Sequence, residues 1–160
     1  MSVAFRRESD EEHLEPRFEL PIPPGPNLVT PRGRDLIRAR VAQLEALAAA
    51  EPDAERRKPV ERDLRYWRTR LATAELAPPP PEGEAGIGSS VTVRIAGKLR
   101  VLTITGHDEA DPDAGLIAFS APLARAVMGL SAGDFADFNG RDDAIEVVAV
   151  DSAAEAGRGA

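Results

Sequence analysis

Val91-Thr92-Val93-Arg94-Ile95-Ala96-Gly97-Lys98, with Val101 to Thr105 following, is the stretch that decides the fold. Val91, Val93 and Ile95 alternate with polar residues, the period-two pattern of a half-buried strand. Gly97-Lys98 suits a turn, and Val101 to Thr105 is a second, largely β-branched run. A charged loop follows, His107-Asp108-Glu109-Ala110-Asp111-Pro112-Asp113, and then Leu116 to Phe119 as a third strand. Ser120 is placed to cap a short helix from Pro122 to Met128, closed by Gly129. Phe135 to Phe138 and Ala144 to Val150 flank Asn139-Gly140, which predicts a final hairpin. Residues 88–151 are therefore expected to form a small antiparallel sheet with one short helix, an α+β domain.

Upstream the composition changes. Pro78 to Pro81, followed by Glu82-Gly83-Glu84-Ala85-Gly86, reads as a linker over 78–87, stiff first and then flexible. Before it, residues 30–77 carry a helical period. Thr30-Pro31 offers a hydroxyl N-cap and a proline at the first helical position. Ile37, Val41, Leu44 and Ala48 follow at heptad spacing, with Leu36 and Leu47 flanking the stripe. Glu51-Pro52-Asp53 stops this helix. After Pro59 a second stripe begins, Val60, Leu64, Trp67, Leu71 and Ala74. Two such helices joined by a short turn bury their stripes most economically against each other, as an antiparallel hairpin or short coiled coil. The arms should be about 30 Å and 25 Å long. Residues 1–29, with five prolines and no sustained period, read as a flexible tail, as do residues 152–160. Phe18, Leu20 and Ile22 alternate, which leaves open a short strand or a peptide docked on the body.

Composition narrows the function classes. The chain has 160 residues, a net charge of −7, no cysteine and two histidines. Disulfide scaffolds, CxxC zinc sites and thiol nucleophiles are excluded together. No apolar run approaches the roughly 18 residues of a membrane span, and the N-terminus has no apolar signal region, so a cytoplasmic protein without membrane contact is expected. Residues 30–77 hold 11 basic and 8 acidic side chains, whereas residues 78–160 hold 6 and 13. A duplex-DNA grip concentrates cations on a folded face. An acidic main domain argues against one, and only the hairpin has a cationic surplus.

The second half resembles the Gre family of bacterial transcription elongation factors. Gly88-Ser89-Ser90-Val91 resembles the entry into that family's C-terminal domain. Gly106-His107-Asp108-Glu109-Ala110-Asp111 resembles its G-x-x-E-A-D loop, with Gly115-Leu116-Ile117 after it. Ser120-Ala121-Pro122-Leu123-Ala124-Arg125-Ala126-Val127-Met128-Gly129 resembles its S-P-x-A-R-x-L-x-G helix, and Gly133-Asp134 its G-D. The resemblance covers residues 86–150. It implies an FKBP-like fold, without implying prolyl isomerase activity, that docks on RNA polymerase at the rim of the secondary channel. Ser120, Pro122, Leu123, Ala124 and Arg125 would lie in the docking surface. The helical hairpin would enter the channel, near the nascent RNA and DNA. In cleavage-competent members its acidic tip helps hold the polymerase-bound Mg²⁺, so the chemistry belongs to the polymerase.

In the first half Thr30-Pro31-Arg32-Gly33 through Leu36 resembles the family's T-x-x-G-x-x-x-L helix start. The tip motif G-D-L-x-E-N-x-E-Y is absent, replaced by Glu51-Pro52-Asp53-Ala54-Glu55-Arg56-Arg57-Lys58-Pro59. The arms are also several turns short of the cleavage factors, closer to Rnk-type relatives with a stunted coiled coil. Each lost turn removes about 5.4 Å of reach, while a carboxylate must approach Mg²⁺ to about 2.0–2.1 Å. The expected protein is a monomeric, non-enzymatic polymerase-binding regulator with no cofactor of its own. The alternatives are a cleavage-competent factor using Glu51, Asp53 or Glu55, and an FKBP-like peptide-binding module.

The individual residues also have plainer readings. Glu51, Asp53 and Glu55 are read as a solvated turn in which Asp53 caps the second helix, because Arg56, Arg57 and Lys58 compete for their charge. Those cations are read as a solvated helix start, the alternative being contact with nucleic acid or acidic channel walls. His107, Asp108, Glu109, Asp111 and Asp113 show no ligand spacing of a known metal site and read as a hydrated turn. Arg125 can pair with a polymerase carboxylate or locally with Asp134. Trp67 belongs to the packing between the arms. Ser120 has no G-x-S-x-G elbow around it and is not a nucleophile.

Overall fold

A computed structural model describes residues 19–152. The expectations for Phe18 and for the tails before residue 19 and after 152 lie outside the described residues. The elements in chain order are β1 (Leu28–Val29), α1 (Pro31–Ala50), α2 (Ala54–Thr73), β2 (Glu75–Leu76), β3 (Ser90–Ile95), β4 (Lys98–Thr105), a one-turn 3-10 helix (Pro112–Ala114), β5 (Leu116–Ala118), α3 (Pro122–Val127), β6 (Phe135–Phe138) and β7 (Arg141–Asp151). The fold is α+β, a helical hairpin followed by a five-stranded sheet carrying one short helix.

The hairpin forms for the reasons its stripes suggest. Thr30 caps α1, its hydroxyl accepting from the Gly33 amide, with Pro31 in the first turn. Val41, Leu44 and Leu64 are buried between the arms, with Val60, Trp67 and Leu71 packed around them. The second arm starts earlier than its apolar stripe. Asp53 caps it by accepting from the Glu55 and Arg56 amides, so the helix begins at Ala54 and Pro59 lies inside it. Each arm has 20 residues, about 30 Å, which lengthens the second by one turn.

The sheet runs β5-β4-β3-β7-β6. It is mixed rather than wholly antiparallel: Thr103, Ile104 and Thr105 of β4 pair in parallel with Leu116, Ile117 and Ala118 of β5. The intervening loop and 3-10 turn carry the chain back to start β5 in the same direction. Asn139 and Gly140 both adopt positive φ, 52° and 76°, as a two-residue hairpin turn of that hand requires. Val91, Val93, Leu102, Ile104, Ile145 and Val147 line one face, and Ala124 and Val127 of α3 close over them.

Two boundaries move. Leu28–Val29, inside the expected tail, pairs in parallel with Glu75–Leu76 and ties the two ends of the hairpin together. The end of the expected linker is packed rather than free: Ala85 is buried, its amide donates to Leu130 and its carbonyl accepts from Gly129. Among the described residues no helix is long and apolar enough to cross a membrane.

Candidate functional site

The α3 segment presents two contrasting faces. Ala124 and Val127 are fully buried in the sheet core. Leu123 packs partly against that core, and Ser120, Pro122 and Arg125 are exposed. Ala121 precedes α3 with no side-chain cap, so Ser120 does not cap the helix. Its hydroxyl instead lies 3.4 Å from the ring nitrogens of His107, whose ring stands edge-on to Phe119 at 5.1 Å. The helix begins at a proline, which has no amide for a cap to satisfy. Arg125 does not pair with Asp134, whose carboxylate accepts from the Ser131 amide at 2.8 Å. The Arg125 amide donates to the Ala121 carbonyl at 2.9 Å, but among the described residues no hydrogen bond or ion pair engages its side chain, which is exposed.

The hairpin tip is chemically occupied. Asp53 Oδ1 accepts from two amides of its own helix, at 2.8 and 3.2 Å. Glu51 Oε1 accepts from the Asp53 amide at 3.1 Å. Glu55 pairs with Lys58 at 2.9 Å, and Arg57 with Glu61 at 3.3 Å. Arg56 is exposed. Among the described residues no three acidic or histidine side chains converge as metal ligands.

The loop after β4 departs most from its reading as a hydrated turn. The side chains of Asp108 and Glu109 are buried and engaged by the hairpin. Asp108 Oδ2 accepts from Arg70 Nε at 2.6 Å, the two side chains being 4% and 2% exposed. Its other oxygen accepts from the Tyr66 hydroxyl. Burial first, and then this hydrogen bond and the Asp108 charge, push the Tyr66 hydroxyl up to about 12. Glu109, 5% exposed, accepts from Arg32 Nη1 at 2.8 Å and from the Thr30 hydroxyl at 2.5 Å. Close backbone approach supports both contacts. A Cβ on Gly33 would lie 2.8 Å from Glu109 Oε2, and one on Gly106 would lie 2.5 Å from the Leu28 carbonyl oxygen. Asn27 adds a donor bond to the Arg70 carbonyl at 2.8 Å. The chain from Glu19 onward is a docked segment rather than a strand: the Glu19 carboxylate meets Arg65 at 2.8 Å, which holds it below the usual carboxylate range.

Arg70, Tyr66 and Asn27 were not foreseen as site residues. Arg70 sits three residues after Trp67 and directly before Leu71, on the buried side of α2, and an arginine beside an apolar stripe is the one local sign of a buried partner. The partner itself lies 38 residues away, beyond any spacing pattern.

The comparisons with known proteins agree with the sheet half. Residues 80–152 match the family described as Transcription elongation factor, GreA/GreB, C-term. The transcription elongation factor GreA of Thermomicrobium roseum is 36% identical over 78 residues, 47% of this chain and 50% of the relative. The GreA of Ralstonia nicotianae is 33% identical over 102 residues, 59% and 65% of the two chains. The chain thus spans about half to two thirds of the length of these relatives. Among solved structures, GreA/GreB from Nitrosomonas europaea is 21% identical, covering 80% of this chain and 99% of that one, with a TM-score of 0.39. Gfh1 of Thermus thermophilus gives 16%, 79%, 99% and 0.36.

Proposed function

We propose, from the match of residues 80–152 to the GreA/GreB C-terminal family, that the chain is a Gre-type factor that binds bacterial RNA polymerase and regulates elongation without efficiently stimulating transcript cleavage. The exposed face of Ser120, Pro122 and Arg125 docks at the rim of the secondary channel, with Leu123 and Ala124 setting the helix against its core. The hairpin enters the channel, toward nascent RNA and DNA. The chain works as a cytoplasmic monomer, is not itself an enzyme, and carries no cofactor of its own. The observation that carries the docking half is the exposed Arg125 side chain, on a helix whose other side is fully buried.

The absence of cleavage rests on the tip. The polymerase-bound Mg²⁺ is the metal at issue, and these residues do not fit it. Asp53 is committed to its helix cap, Glu51 to the Asp53 amide and Glu55 to Lys58. Arms of about 30 Å add no length to compensate.

Two assays test the reading. Polymerase should co-purify with the full chain, and Arg125→Ala should weaken that capture severalfold. Loss of capture for the unaltered chain would favour a peptide-binding module unconnected with transcription. On backtracked elongation complexes the protein should add little transcript cleavage. Robust cleavage that Asp53→Ala or Glu51→Ala abolishes would make it a cleavage factor.

A further inference from the structure

The sheet domain and hairpin are joined covalently through β2 and the proline run, a single connection that by itself allows the hairpin to swing. The loop after β4 supplies a second attachment at a distant point of the chain. Asp108 grips α2 through Arg70 and Tyr66, and Glu109 grips the start of α1 through Thr30 and Arg32. The same loop therefore holds both arms at their common base. A body fixed at two separated places cannot rotate about either one alone.

The geometry points to Asp108, Arg70 and Glu109 as positioning residues that fuse hairpin and sheet domain into one rigid body and thereby set the direction in which the hairpin leaves the docking face. The burial of Asp108 and Arg70, 4% and 2% exposed, excludes the water that lets a surface ion pair exchange partners. Glu109 is buried as well, at 5%, and its bond to the Thr30 hydroxyl backs a pair whose Arg32 side is 67% exposed. The glycines set the distance: Gly33 lets Glu109 reach the α1 cap, and Gly106 lets the loop backbone lie on Leu28. The same contacts explain why two adjacent carboxylates of a loop are buried while Asp111 and Asp113 beyond them remain exposed. What that direction serves rests on the docking reading above; the rigidity itself does not.

The chain contains no cysteine, so Ala54→Cys at the tip and Lys98→Cys on the sheet accept spin labels without further change. Pulsed electron paramagnetic resonance on the free, full chain should give a single narrow distance distribution. Glu109→Gln, which keeps an oxygen for Thr30 but loses the charge facing Arg32, should broaden it. Asp108→Asn combined with Glu109→Gln should roughly double its width, as expected when a hinge is released. Arg70→Met should broaden it too, and Arg70→Lys should restore part of the narrowness. A label pair within the sheet domain, Lys98→Cys with Asp142→Cys, should keep its width throughout, which separates hinge release from unfolding. Wild-type width in both Glu109→Gln and the double variant would overturn the proposal. These measurements contain no polymerase, so failed capture by polymerase would refute the docking reading and leave this one standing. If both hold, the double variant should still be captured while losing the hairpin-dependent effect on elongation.

Discussion

Asp108→Asn exchanges one carboxylate oxygen for an amide nitrogen at a point where both oxygens are engaged, one by Arg70 at 2.6 Å and the other by the Tyr66 hydroxyl. An asparagine that turns its oxygen to Arg70 can still give its amide to the tyrosine oxygen, so hydrogen-bond geometry survives and the charge does not. The Arg70 side chain, 2% exposed, is then a desolvated cation with no counter-ion. Breaking such a buried pair from one side costs about 3–5 kcal/mol, out of the roughly 5–15 kcal/mol that a folded chain has. For a chain of this size each kcal/mol moves Tm by about 2–4 °C, so thermal melting followed by circular dichroism should show a fall of roughly 6–20 °C. The paired variant Arg70→Met with Asp108→Leu removes both charges and should recover much of the loss, since an apolar replacement of a buried pair is often neutral. An Asp108→Asn shift below about 2 °C, or a double variant worse than the single, would refute the reasoning by showing that water reaches the pair.

Tyr66 is the only tyrosine, so an ultraviolet absorbance titration reads it directly. Its hydroxyl should ionise near 12 when folded and near 10 in denaturant, about the ordinary value. The folded value is the raised one, so this contribution to stability is complete below the unfolded value and is lost as pH rises from about 10 toward 12; Asp108→Asn should bring the folded value down. Pro59 lies at the sixth residue of α2 with no amide to donate, and Pro59→Ala should stabilise the hairpin by about 1 kcal/mol or more, raising Tm. Gly106→Ala would set a methyl 2.5 Å from the Leu28 carbonyl oxygen, and because backbone cannot step aside cheaply it should cost about 1–3 kcal/mol in chemical denaturation. Leu44→Ala, at a residue 3% exposed, should cost about 2–5 kcal/mol; Trp67 fluorescence should report the loosening while the sheet amides keep their hydrogen-exchange protection.

Most of the architecture was legible because it is written in short-range periods. The alternation of Val91, Val93 and Ile95 and the heptad of Ile37, Val41 and Leu44 are local statements about which face of an element is apolar, and their burial follows, Ile95 alone only in part. Asn139-Gly140 is similarly local. Most of the misread features depend on partners distant in sequence; the early start of α2 is the local exception. The parallel pairing of β5 depends on how the loop returns the chain. The early start of α2 depends on Asp53 capping strongly enough to carry a proline in the second turn, against a propensity rule that would begin the helix after it. Asp108 and Glu109 have the composition of a solvated turn, and no property of residues 107–113 distinguishes a carboxylate facing water from one facing Arg70. The short helix Pro122–Val127 was legible from the proline that opens it and Gly129 beyond its end. A docking role for it was an implication of the resemblance alone, since six residues carry too little periodicity to show an apolar and a free face.

The charge asymmetry of the chain has a structural use that its composition does not suggest. Residues 30–77 carry a surplus of three positive charges, which considered alone could attract a polyanion. Three carboxylates from outside that segment meet its arginines: Glu19 meets Arg65 at 2.8 Å, Asp108 meets Arg70 at 2.6 Å and Glu109 meets Arg32 at 2.8 Å. Further arginines are matched within the hairpin, Arg68 by Glu45 and Arg57 by Glu61. The surplus is therefore balanced by the parts of the chain packed against it, and little of it is left to form the continuous cationic stripe that nucleic-acid binding needs. The three outside contacts are unequal. The Glu19 pair is more than half exposed on both sides and is worth little in salt. The Asp108–Arg70 pair is desolvated on both sides, and its attraction is correspondingly harder to screen. Glu109 is buried but its partner Arg32 is 67% exposed, so Asp108 carries the salt-resistant part of the junction. High salt should then loosen the segment around Glu19 while leaving the junction closed.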